Sequence, residues 1–139
     1  MSVTGKFLLD RNENFYEHLI ALGIPEDRAE SVNKLKPVLE ILIEGKEVTF
    51  TSSSEEFHHK TVLLLDELVD ETIAIDYQLK SIVRKIDDHT LEIESTGTTL
   101  DRGIRRYEFS DKSLIMIIQN NNRSVPVAKR YYSRISSNL

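Results

Sequence analysis

The sequence predicts a mainly β protein: ten short antiparallel strands, folded as a sandwich or a closed barrel, with two short helices between the first strand and the second. Three observations predict it. Apolar residues alternate with period two in run after run from Pro37 onward. Turn-forming stretches separate those runs at regular spacing. Helical periodicity is confined to the stretch between the first run and Pro37. So many strands in 139 residues would leave exposed edges unless two sheets stack or one sheet closes on itself.

The first strand is "TGKFLLD". In "NENFYEHLIALG", Phe15, Leu19 and Leu22 fall at i, i+4 and i+7 and Gly23 is placed as a C-terminal cap, which predicts a first helix. "IPEDRAESVNKLKP" predicts a second. Pro25 stands in its first turn with Glu26 and Asp27 behind it, and Lys34, Lys36 and Pro37 close it. Each helix has about ten residues, too few to persist alone in water, so both must lean on the strands. "VLEILIEGKEVTFTSS" reads as a hairpin, with Leu39, Ile41 and Ile43 on one face, a turn around Gly45, and Val48, Phe50 and Ser52 on the return. The runs "HHKTVLLL", "DETIAIDYQ", "LKSIVRKI", "TLEIES", "TLDRGIRRYEF", "SLIMIIQ" and "VPVAKRYYSRI" complete the ten, divided by "LDELV", "DDH", "SDK" and "NNNR".

The composition, 40% hydrophobic and 29% charged, is that of one globular domain over residues 1–139, with the helical pair at about 13–36. The absence of cysteine removes disulfides, thiolate metal sites and a cysteine nucleophile. A net charge of −5 argues against nucleic-acid binding and weakens broad attraction to anionic membrane. With no signal-like opening and no apolar run of about 18 residues, the expectation is a soluble, cytoplasmic protein. His58 and His59 are adjacent, so on a strand they face opposite sides and cannot share a metal. The acidic "LDELVDE" lacks the alternating ligands of a calcium loop and reads as a solvated turn. No G-x-S-x-G, phosphate loop or H-E-x-x-H occurs. Neither enzyme activity nor a cofactor or metal is expected.

Strand alternation puts polar residues on inward faces: Ser52 beside Phe50, Ser95 beside Ile93, Arg106 beside Ile104, and Arg130 and Tyr132 beside Ala128. A solid core would exclude such groups, because unpaired buried charge is very costly. An interior holding water and an anion would accept them.

"GKFLLDRNENFYEHL", "LKPVLEILIEGKEVTF", Phe57 within "EEFHHK", "DETIAIDYQLKS" and "KRYYSRI" follow one another in the order of the intracellular lipid-binding proteins, the fatty-acid-binding and cellular retinoid-binding proteins, which the chain resembles over essentially its whole length. Tyr16 departs from that pattern where an acidic residue is usual, and Ile75 and Tyr77 depart where many members carry aspartate and arginine. The resemblance implies a ten-stranded up-and-down barrel, lidded by the helices, that takes one amphipathic lipid. Arg130 and Tyr132 match the terminal Arg-x-Tyr that holds a carboxylate, together with Arg106, preferred to Arg105 because the family register puts Ile104 and Arg106 inward. Guanidinium suits that task, since it stays ionised when buried and offers a planar fork of donors. The tail would meet Phe15, Leu19, Leu39, Phe50, Ile73, Ile75, Tyr77, Ile93, Ile104 and Met116, with Phe57 beside the portal. The implied function is a monomeric carrier of one long-chain fatty acid with access to the nucleus. Its rivals are a carrier of retinoic acid or another hydrophobic carboxylate and, in a different class, an interaction or delivery module whose lid makes transient membrane contact.

Overall fold

The computed structural model describes residues 3–55, 57–73, 77–97 and 102–136, with Ile73 and Tyr77 described by backbone alone. The strands are β1 (Gly5–Glu13), β2 (Val38–Glu44), β3 (Glu47–Ser53), β4 (His58–Leu64), β5 (Val69–Ile73), β6 (Tyr77–Asp87), β7 (Thr90–Thr96), β8 (Arg102–Phe109), β9 (Ser113–Asn120) and β10 (Ala128–Ser136); α1 (Phe15–Ala21) and α2 (Glu26–Lys34) lie between β1 and β2. All ten strands form one antiparallel sheet in the order β4-β3-β2-β1-β10-β9-β8-β7-β6-β5. Pairing of the first strand with the last curls the sheet into a nearly closed up-and-down barrel. Its seam lies between β4 and β5, where the ladder gives way to a bridge from Leu65 to Val83 and a hydrogen bond from Asp66 N to Val83 O at 2.8 Å. Of the two architectures the strand pattern allowed, the barrel is the one formed.

Turn chemistry sets the joints. Gly45 (φ 61°) permits the tight β2–β3 turn, and Gly23 (φ 91°) ends α1 in the left-handed region that a side chain disfavours. Helix α1 buries Phe15 and His18, while Leu22 is 45% exposed. The expected Phe15–Leu19–Leu22 stripe therefore does not form as such: the helix ends at Ala21, and Leu22 belongs to its cap.

One irregularity re-aims a strand. On β1, Leu9 pairs with Tyr132 and Arg11 with Tyr131, so Asp10 is an extra residue, a bulge. Gly5, Phe7 and Leu9 are buried, but past Asp10 the alternation reverses. Arg11 stays outside with its guanidinium 3.8 Å from the Tyr131 ring, and Asn12 turns toward Arg130.

The densest apolar packing lies at the barrel end away from the helices, where Phe7, Ile41, Val48, Leu63, Val83, Leu91, Phe109 and Leu114 are buried. Phe7 and Phe109 pack with ring centroids 5.6 Å apart. Toward the helices the inward faces become polar. Among the described residues no helix is long and apolar enough to cross a membrane.

Candidate functional site

The face of β8 decides which arginine is inside. Tyr107 and Phe109 are buried, 3% and 5% exposed, and Arg105 shares their face, opposite Ile93 on β7 and Ile118 on β9. Arg106 lies on the outer face, 40% exposed, its Nε donating to Glu108 at 3.2 Å and its Nη1 lying 3.6 Å from Glu92. Ile104 shares that outer face, opposite Glu94 and Gln119. The expected inward pair, Ile104 and Arg106, is thus corrected by one residue. The physical reason is visible in the sequence: two large aromatics at 107 and 109 occupy the dry face, and alternation carries Arg105 in with them.

Arg105 does not stand alone. Its Nη2 donates to Glu71 Oε1 at 2.6 Å and its Nη1 to Glu71 Oε2 at 3.2 Å, a two-point pair with a carboxylate only 2% exposed. Ser81 Oγ also donates to Glu71 Oε1 (2.6 Å) and lies 2.7 Å from Ser95 Oγ, which accepts from Arg105 Nη2 at 3.1 Å. Burial alone would raise the Glu71 carboxyl, but the Arg105 guanidinium and the Ser81 hydroxyl outweigh it and hold it below the usual carboxylate range. Four strands, β5 to β8, supply this closed, internally neutralised network. Glu71 was read as part of a solvated acidic turn. Its place two positions after Val69 in "VDETI" is the signal, by strand alternation, that it shares the face of that half-buried residue.

Arg130 is in a different state. It extends from β10 beneath α1, with its Cζ 4.1 Å from the Phe15 ring centroid and 6.0 Å from that of Tyr132. Its Nε donates to Asn12 Oδ1 at 2.9 Å, and among the described residues it forms no ion pair. Tyr132, 3% exposed, has its hydroxyl raised by burial, an effect that Arg130 opposes. Tyr107 is pushed up to about 12, chiefly by burial, with Arg105 opposing. Both phenols therefore remain neutral donors across the physiological range. Met116 on β9 stands opposite both Arg130 on β10 and Tyr107 on β8, and Tyr107 packs against Phe50 at 5.4 Å.

The structure thus gathers Arg130, Tyr132, Phe15, Phe50 and Met116 with Tyr107, and adds Leu39 and Ile93 to the buried lining. Leu19 is half-buried on α1, and Phe57 is half-buried at the β3–β4 turn, its carbonyl accepting from Ser54 N at 2.9 Å. Ile75 lies outside the described residues, as do the side chains of Ile73 and Tyr77. His59, the second residue of β4, is half-buried, with Nε2 3.0 Å from Thr61 Oγ1, while exposed His58 meets Ser53 Oγ at 2.9 Å, so the two rings have different partners. Among the described residues no three acidic or histidine side chains cluster as a metal site. Outside the barrel, a groove of about 670 Å³ runs between α1, the start of α2 and the β9–β10 connection, lined by Tyr16, Glu17, Ile20, Ala21, Ile24, Glu26, Ser124 and Pro126.

Comparison with known proteins bears on this arrangement. No family model matches the chain. Fatty acid-binding protein 1, liver, of Ambystoma mexicanum is 29% identical over 140 residues, covering 99% of this chain and all of that protein. Among solved structures, the fatty-acid-binding protein from brain tissue of Drosophila melanogaster superposes with a TM-score of 0.83 at 28% identity, over 96% of this chain and 99% of that one. The REP1-NXSQ fatty acid transporter gives 0.84 at 25% identity, over 96% of each chain. Along its whole length the chain is thus similar to fatty-acid-binding proteins, and it shares with them the fold of a nearly closed ten-stranded barrel carrying two helices between its first two strands.

Proposed function

We propose that the protein is a non-enzymatic carrier that takes one long-chain fatty acid into the barrel, its carboxylate at Arg130 and Tyr132 under the lid and its tail among Phe15, Phe50, Ile93 and Met116. The observation that carries this reading is Arg130 itself. It is an inward arginine that meets no carboxylate among the described residues, beside a buried tyrosine hydroxyl, at the end of the barrel where the interior becomes polar. Arg105 would act differently from the second cation first expected: bound on two points by Glu71, it supplies a dipolar wall and not a free charge. The proteins named above are two fatty-acid-binding proteins and a fatty acid transporter, which supports the same ligand class.

The energetics divide between tail and head. Each buried CH2 contributes about 0.8 kcal/mol, so a long chain supplies the drive and the head group supplies the choice. The test is displacement of a fluorescent fatty-acid probe from delipidated protein by a long-chain fatty acid and by the alcohol of equal length. The acid should displace at lower concentration, and Arg130→Gln should erase most of that advantage. Equal displacement by acid and alcohol in the unaltered protein would rule the reading out.

A further inference from the structure

We propose that Asn12 is a positioning residue that ties the anion-binding arginine to the lid, so that head-group binding and the docking of α2 are one coupled event. The proposal rests on Arg130 receiving the carboxylate and goes beyond it. Asn12 is half-buried near the end of β1, directly opposite Arg130 in the β1–β10 ladder. It faces that way only because the bulge at Asp10 reverses the alternation of β1.

Its amide makes three contacts. Oδ1 accepts from Arg130 Nε at 2.9 Å, while Nδ2 donates to the backbone oxygen of Asn33 at 3.2 Å and to Asn33 Oδ1 at 3.3 Å. The orientation is fixed by the partners: a reversed amide would set N–H against N–H at Arg130 and oxygen against two oxygens at Asn33. Asn33 lies in the last turn of α2, whose final carbonyls have no partner within the helix, so Asn12 supplies a missing donor. At the other end, occupying Nε and stacking the guanidinium on Phe15 leaves the two Nη groups as the edge offered to a carboxylate. One side chain thereby touches the cation that reads the ligand and the helix that covers it. Any displacement of Arg130 toward a bound anion is felt at the end of α2, and by linkage the docking of α2 favours the anion in return.

Two readouts test this: hydrogen exchange of the α2 amides in ligand-free protein, and the acid-over-alcohol preference. Loss of the donor to Asn33 should speed α2 exchange in Asn12→Ala by about tenfold, and loss of the acceptor for charged Arg130 should reduce the preference by a similar factor. Asn12→Asp keeps the size but sets a carboxylate on Arg130 and removes the donors to Asn33, so it should abolish the preference and free α2 as well. A merely structural role would weaken acid and alcohol alike and leave their ratio unchanged. Unchanged α2 exchange in both variants, or an unchanged ratio in both, overturns the proposal. Arg130→Gln separates the two levels: if acid preference survives that change, the carboxylate reading fails, while α2 exchange in ligand-free Asn12→Ala still decides whether the tie to the lid exists.

Discussion

A guanidinium clamped by a carboxylate and a guanidinium resting on an aromatic ring meet an incoming anion very differently. Arg105 already has its counter-charge in Glu71, and any ligand must compete with a two-point pair reinforced by Ser81 and Ser95. Arg130 holds a neutral amide and a ring, neither of which cancels its charge. Glu71→Gln should expose the difference. It keeps the shape but leaves Arg105 without compensation, which should lower stability in urea by about 3 kcal/mol while increasing the preference for acid over alcohol. A variant that loses stability with no gain in acid preference would place Arg105 out of the ligand's reach. The same carboxyl sets a pH dependence. Because its folded-state value is lowered, its stabilisation is fully present above the ordinary carboxylate range and is lost as pH falls through the folded value. The advantage of the unaltered protein over Glu71→Gln should accordingly be constant near neutrality and shrink only in acid; a gap that widens toward low pH would contradict the pairing.

At the scale of elements, the lid buries few side chains of its own, Phe15 and His18 on α1 and Ala29 on α2, so polar contacts weigh heavily in its attachment. Helix α1 has only seven residues, too few for stability of its own, and it is fixed by Phe15 and by His18, whose Nδ1 lies 2.7 Å from Pro126 O in the β9–β10 connection. Apolar spacing in the sequence could locate this helix but could not nominate His18, because the spacing counts only apolar residues and the partner carbonyl is more than a hundred positions away. Asn12 was hidden for a related reason: a bulge reverses strand alternation, and no local feature of "LLDRNEN" announces one. His18→Leu keeps the bulk but strands the Pro126 carbonyl, and should cost about 1 to 2 kcal/mol. Hydrogen exchange should show the loss concentrated in α1 and the β9–β10 connection, with β6 and β7 unaffected. A uniform loss over the barrel would mean that His18 belongs to the general core and not to the lid's attachment.

For the whole molecule, the architecture was legible because it rests on period and order, which survive small errors of register: ten strands and two helices follow in the order read, although "DETIAIDYQ", read as one strand, is divided between the end of β5 and the start of β6. The site was less legible because it depends on parity, and a single step on β8 turned Arg106 outward and brought Arg105 and Tyr107 in. The surrounding barrel converts this local chemistry into a global observable. A ligand that binds only the folded chain stabilises it by RT ln(1 + [L]/Kd), about 2.7 kcal/mol at a hundredfold excess over Kd. For a domain of this length that amounts to a rise in melting temperature of roughly 9 °C. A long-chain fatty acid at that excess should give the full rise. The alcohol at equal concentration should give a small part of it, since a buried hydrogen-bonded charge contact is worth on the order of 2 to 5 kcal/mol. In Arg130→Gln the two shifts should converge on the smaller value. Convergence on the larger value would mean that the tail alone determines binding and that Arg130 serves the lid and not the ligand.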